Sequence, residues 1–103
     1  MKTLMDFQES IKLDTVPQYI DKPVFKALWL AAKKEWEQAH TLLRTCEDKD
    51  GGAWLHAYLH RLEGDTINAN YWYKRAGIEP YSGDADTELE EITMLMIRSS
   101  NIE

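Results

Sequence analysis

At 103 residues, 44% hydrophobic and 29% charged, the chain has the make-up of one globular domain, large enough for a core without staples. Its formal net charge of −6 argues against a nucleic-acid partner, which calls for a net basic surface. The lone cysteine, Cys46, excludes an internal disulfide and fits a reducing cytoplasm, and the opening MKTLMDFQESIK lacks the apolar stretch of a signal peptide.

Residues 1–20 read as the least regular part of the chain. DFQESI has room for a short helical turn, and LDTVPQYIDKP, with two prolines, reads as loop. Asp21 stands where an N-cap is needed, with Pro23 in the first turn. Helix one is expected over about residues 23–33. It contains the most apolar window, PVFKALWLAA, which is too short to cross a membrane and carries Lys26. Helix two follows over about 35–45, with Trp36, Ala39, Leu42, Leu43 and Cys46 on its apolar face and His40 at the edge. CEDKDGG is a turn. Helix three spans about 53–63 and is stopped by Gly64, after which Asp65 caps helix four, over about 66–76. GIEPYSGDAD is a loop. Thr87 and Glu90 have capping-box spacing for a last helix, TELEEITMLMIRSS. No segment alternates at period two, so no strand is expected.

A shift of 30 residues superposes much of the chain on itself. Ala27 falls on Ala57, Ala39 on Ala69, Leu42 on Trp72, Leu43 on Tyr73, and Lys34-Glu35 on Gly64-Asp65. Each unit is then one antiparallel helical hairpin, and stacked hairpins share a core. The expected fold is all-α: a single domain over 1–103, with hairpin one at 21–46, hairpin two at 52–77, and a C-terminal helix at 86–100 capping the second hairpin. Ala57, Gly64, Ala69, Tyr73 and Ala76 resemble the second half of a tetratricopeptide repeat. The period is shorter than that family's usual one of about 34 residues, and its first-half signature is replaced by Ala53, His56, Ala57 and His60. The resemblance implies a scaffold that holds a peptide or partner in a groove. The stretch EWEQAH…AWLHAYLHRLEGDTINANYWYKRAG also resembles a set of small uncharacterised bacterial proteins, a likeness that implies no particular biochemistry.

On a wheel at about 100° per residue, helix three separates into four arcs. Ala53, Ala57 and Gly64 are small; Leu55, Leu59 and Leu62 are bulky; Trp54, Tyr58 and Arg61 share a third arc. His56, His60 and Glu63 share the fourth. A helix apolar nearly all round belongs at the centre of a fold. If helices two and three are antiparallel, reflecting His40 through their turn brings it level with His56 and His60, so all three histidines can meet.

Two functional readings follow. The first is a small binding or scaffold module that holds a peptide, partner or small ligand against His56, His60, Glu63, Trp72 and Tyr73, with no cofactor, nucleic acid or membrane. The alternative is a metal-binding protein or metal-dependent hydrolytic enzyme in which His40, His56, His60 and Glu63 hold a divalent ion such as zinc. The plain structural reading stands beside both, since partly buried histidines commonly pack and hydrogen-bond without further duty. In that reading Asp65 is a cap, Arg61 and Glu63 are a solvated helix edge, Trp72 and Tyr73 are core with Trp72 nearer the histidines, and Cys46 is packing.

Overall fold

The computed structural model describes residues 3–16 and 22–100. Among these, six helices and no strand occur: α1 (Leu4–Leu13), α2 (Pro23–Ala32), α3 (Trp36–Leu43), α4 (Gly52–Leu62), α5 (Thr66–Ala76) and α6 (Ala85–Ser100). Helices one to four of the sequence reading are α2 to α5. None of the described helices is long and apolar enough to cross a membrane.

The N-terminal segment corrects the expectation of irregular chain. Thr3 accepts a hydrogen bond from the Asp6 N–H at 3.0 Å, which caps a helix of ten residues. Leu4, Phe7 and Ile11 recur at helical spacing, and the Phe7 ring stacks on Phe25 at 5.7 Å. The buried Ser10 hydroxyl accepts from Trp29 Nε1 at 3.0 Å. Lys33 Nζ donates to the carbonyls of Ile11 and Asp14, both at 2.8 Å, which satisfies two acceptors at the end of α1. Asp21 lies outside the described residues. The N-cap position of α2 is Lys22, without a side-chain cap, and Pro23 opens the helix.

α2 pairs with α3, and α4 with α5, as two helical hairpins. Their tight turns are alike, 30 residues apart. The Lys34 N–H donates to Ala31 O and the Glu35 N–H to Leu30 O; the Gly64 N–H donates to Arg61 O and the Asp65 N–H to His60 O. This is the 5→2 and 6→1 pattern that closes a helix through one left-handed residue. That residue is Gly64 at φ 79° in the second hairpin and Lys34 at φ 67° in the first. A side chain in the left-handed region costs about 1–2 kcal/mol. Replacing Lys34 by glycine is therefore expected to raise stability by up to about 1 kcal/mol after the larger unfolded-state entropy of glycine is set against the relief. Urea midpoints test this; a lower midpoint would show that the Lys34 side chain contributes more than its strain removes.

α4 is central, with Leu55, Ala57, Tyr58 and Leu59 all buried. Ala57 and Ala69 are 0% and 3% exposed and sit with Tyr73 in a cluster where α4 and α5 meet, so their small size lets the two helices approach. Leu62 and Trp36 lie instead at the outer rim, 37% and 45% exposed. α6 starts two residues before TELEEITMLMIRSS because Asp84, rather than Thr87, is its cap: the Asp84 carboxylate accepts from the Thr87 N–H at 3.1 Å and the Thr87 hydroxyl at 2.6 Å. The expectation that this helix caps the second hairpin is also refined. It packs against α4, α2 and α1, burying Ile92, Met96 and Ile97, and so closes one core shared by both hairpins.

Candidate functional site

The α3–α4 packing brings His40 between His56 and His60. The ring centroids of His40 lie 5.1 Å from His56 and 4.8 Å from His60, edge-on in both cases, while His56 and His60 lie 6.2 Å apart and nearly parallel. The spacing of four residues places the two α4 imidazoles one turn apart on one face. From α5, Trp72 lays its ring on His56 at 4.0 Å, with 12° between planes. A pocket of about 310 Å³ opens here, walled by the three histidines and Trp72, with Arg44, Cys46 and Asp48 at its margin. Asp48 is tied to Arg75 on α5 by a hydrogen bond from Nε at 2.9 Å, and the Arg75 guanidinium sits over Trp72 at 5.4 Å. The loop after α3 therefore helps to hold the tryptophan in place.

Burial sets the charge state of the rings. His56 is 6% exposed, and loss of hydration, reinforced by His40 and His60, lowers its pKa to about 4. His40 is lowered by burial first and then by His60 and Arg44. Near neutral pH both rings are uncharged, and a neutral imidazole offers one donor and one acceptor. His40 and His56 both line the pocket, and no hydrogen bond from a described residue to their ring nitrogens occurs.

His60 has a second environment on its other side. Its Nδ1 is buried without a hydrogen-bond partner among the described residues, 3.4 Å from Glu63 Oε1 and 3.5 Å from Asp65 Oδ2. Among the described residues, the potential metal-ligand atoms that lie within 4.8 Å of one another belong to His60, Glu63 and Asp65. The four residues expected to share an ion thus divide: His60 and Glu63 face Asp65, while His40 and His56 line the pocket.

Tyr73, a candidate for the ligand surface and for the core alike, takes the core position, while Trp72 lies against the histidines. Tyr73 is 2% exposed, and its hydroxyl donates to Glu88 Oε2 at 2.5 Å. Adjacent residues on a helix differ by about 100°, so when Trp72 turns to His56, Tyr73 turns into the core. Glu88 was not singled out from the sequence. It is fully buried and accepts from Trp54 Nε1 at 3.0 Å and from Arg61 Nη1 at 2.7 Å as well as from Tyr73. Arg61 also donates to the Gly83 carbonyl. Arg61 is therefore no solvated edge but the half-buried partner of the buried Glu88 carboxylate, in an ion pair that joins α4, α5 and α6. The available signal was a glutamate in helical register with Ile92 and Met96, on the stripe that α6 buries. No family model matches this chain, and neither a curated protein nor a solved structure does, so the site is defined by its own geometry.

Proposed function

We propose that this protein is a small binding module whose ligand occupies the pocket between His40, His56 and Trp72. The observation that carries the reading is a pair of largely neutral imidazoles whose nitrogens no described residue satisfies, opening beside an aromatic wall. Sites for small molecules combine an apolar or aromatic lining with a few converging polar groups, and about 310 Å³ lies at the lower end of their usual range of roughly 300–1,000 Å³. That size suits a small molecule or one side chain of a partner better than a length of peptide. Arg44, exposed at the margin, favours an acidic group on the ligand. The tetratricopeptide-like kinship belongs to the same proposal and is supported by the matching turns 30 residues apart. Location in the cytoplasm rests on the lone Cys46.

A library of small carboxylic acids and their amides, followed by NMR on the histidine ring C–H resonances, tests the reading. Hits are expected to shift His40 and His56 and to be lost in His56→Ala while helical circular dichroism is retained. Hits that persist in His56→Ala, or that shift residues elsewhere, would place binding outside this pocket.

A further inference from the structure

We propose that His60, Glu63 and Asp65 form a site for a divalent transition-metal cation at the turn between α4 and α5. This goes beyond the pocket ligand and does not depend on it, since Glu63 and Asp65 do not line that pocket.

The local fold assembles the three donors. His60 and Glu63 are three residues apart and share a helix face. Gly64, at φ 79°, then reverses the chain, and the Asp65 N–H returns to the His60 carbonyl at 2.9 Å. The reversal brings the Asp65 carboxylate back over the His60 ring. As a result Nδ1 faces one oxygen of each acid, at 3.4 Å and 3.5 Å.

Those separations are long for hydrogen bonds, which run at about 2.7–3.2 Å between nitrogen and oxygen. They match a coordination edge instead. Ligands held about 2.1 Å from one ion at a tetrahedral angle stand about 3.4 Å from each other. The buried Nδ1 has no hydrogen-bond partner among the described residues, a state that a buried polar atom rarely keeps. A cation would satisfy that nitrogen and neutralise two carboxylates together. Asp65 is also held from outside: Asn68 Nδ2 donates to its Oδ2 at 2.7 Å, and the Asn68 N–H donates to Oδ1 at 3.3 Å. Outer hydrogen bonds of this kind orient a ligating carboxylate. One imidazole and two carboxylates form a mixed nitrogen–oxygen set, which suits zinc, iron or nickel over calcium. Three protein donors leave further coordination positions for water or a ligand.

The test is calorimetric titration of the chelator-stripped full chain with zinc chloride, repeated on Asp65→Asn, Glu63→Gln and the pair His40→Gln and His56→Gln. Asparagine caps a helix about as well as aspartate, so Asp65→Asn removes the charge while keeping the turn. One zinc per chain is expected. Affinity should fall at least about tenfold in Asp65→Asn and in Glu63→Gln, and stay near the original in the His40 and His56 variants. Absence of binding overturns the site, as does binding that both acid-to-amide variants leave unchanged. Loss confined to the His40 and His56 variants overturns it too, because it would move the ion into the pocket.

Discussion

Replacing Glu88 by alanine is expected to destabilise the protein by about 3–5 kcal/mol, the usual cost of removing one partner from a buried ion pair. Glu88 is 0% exposed and receives three donors from two other helices: Trp54 and Arg61 of α4 and Tyr73 of α5. Its removal strands the Arg61 guanidinium, whose side chain is 29% exposed, and leaves two aromatic donors facing a cavity. Tyr73→Phe removes a single bond to the carboxylate and is expected to cost about 1–3 kcal/mol. Exchanging Glu88 and Arg61 together for leucines should cost less than Glu88→Ala, because no charge is then left unpaired. Urea unfolding of the variants measures all three. A loss below about 1 kcal/mol in Glu88→Ala would show that water replaces the carboxylate, and with it that α6 is not anchored through this residue.

The second large effect is loss of stability in mild acid. In the unfolded chain His56 takes up a proton near pH 6.5, whereas in the fold its pKa is lowered to about 4 by burial and by the two neighbouring histidines. Between those values the unfolded state binds more protons than the native state. Stability therefore falls as pH drops through 6.5, and the loss is complete near pH 4. A tenfold change in proton affinity is worth about 1.4 kcal/mol, and with partial hydration of the pocket the total comes to about 2–3 kcal/mol. His40, lowered by burial and by His60, adds a contribution of the same sign. The lowered carboxyls of Asp65 and Asp84 act below pH 3.8 and so fall outside this window. Urea midpoints measured at pH 7.5 and 4.5 in the presence of EDTA should show the drop. His56→Phe, which retains an aromatic face for Trp72 and cannot titrate, should remove most of it. An equal drop in that variant would assign the acid sensitivity to other groups.

Much of the architecture was legible in the chain because it depends on local chemistry. Helix periodicity, Gly64 as a left-handed stop, Asp65 as a cap and the repeat of 30 residues each act over a few positions, and all four main helices lie within about two residues of their expected ends. The helix α1 is equally local, resting on Thr3 and the Leu4, Phe7 and Ile11 stripe, while the prolines that point to loop lie downstream of it. The meeting of His40 with His56 and His60 followed from the height of each residue in an antiparallel pair, a quantity that sequence distance supplies. Which way each ring faces does not follow from height. The partners of Glu88 stand 34, 27 and 15 residues away, and no periodicity in α6 says whether a carboxylate on its apolar stripe will find a guanidinium. The same holds for Trp72 and Tyr73: the chain marks both as large and aromatic, and only the packing of α5 between α4 and the Glu88 side chain sends one to the histidines and the other to the core. Asp65 is the sharpest case. Its place as a cap was plain from the residues around it, but its approach to His60 depends on the angle at which the turn returns the chain, and that angle is set by how closely Ala57 and Ala69 let the two helices pack.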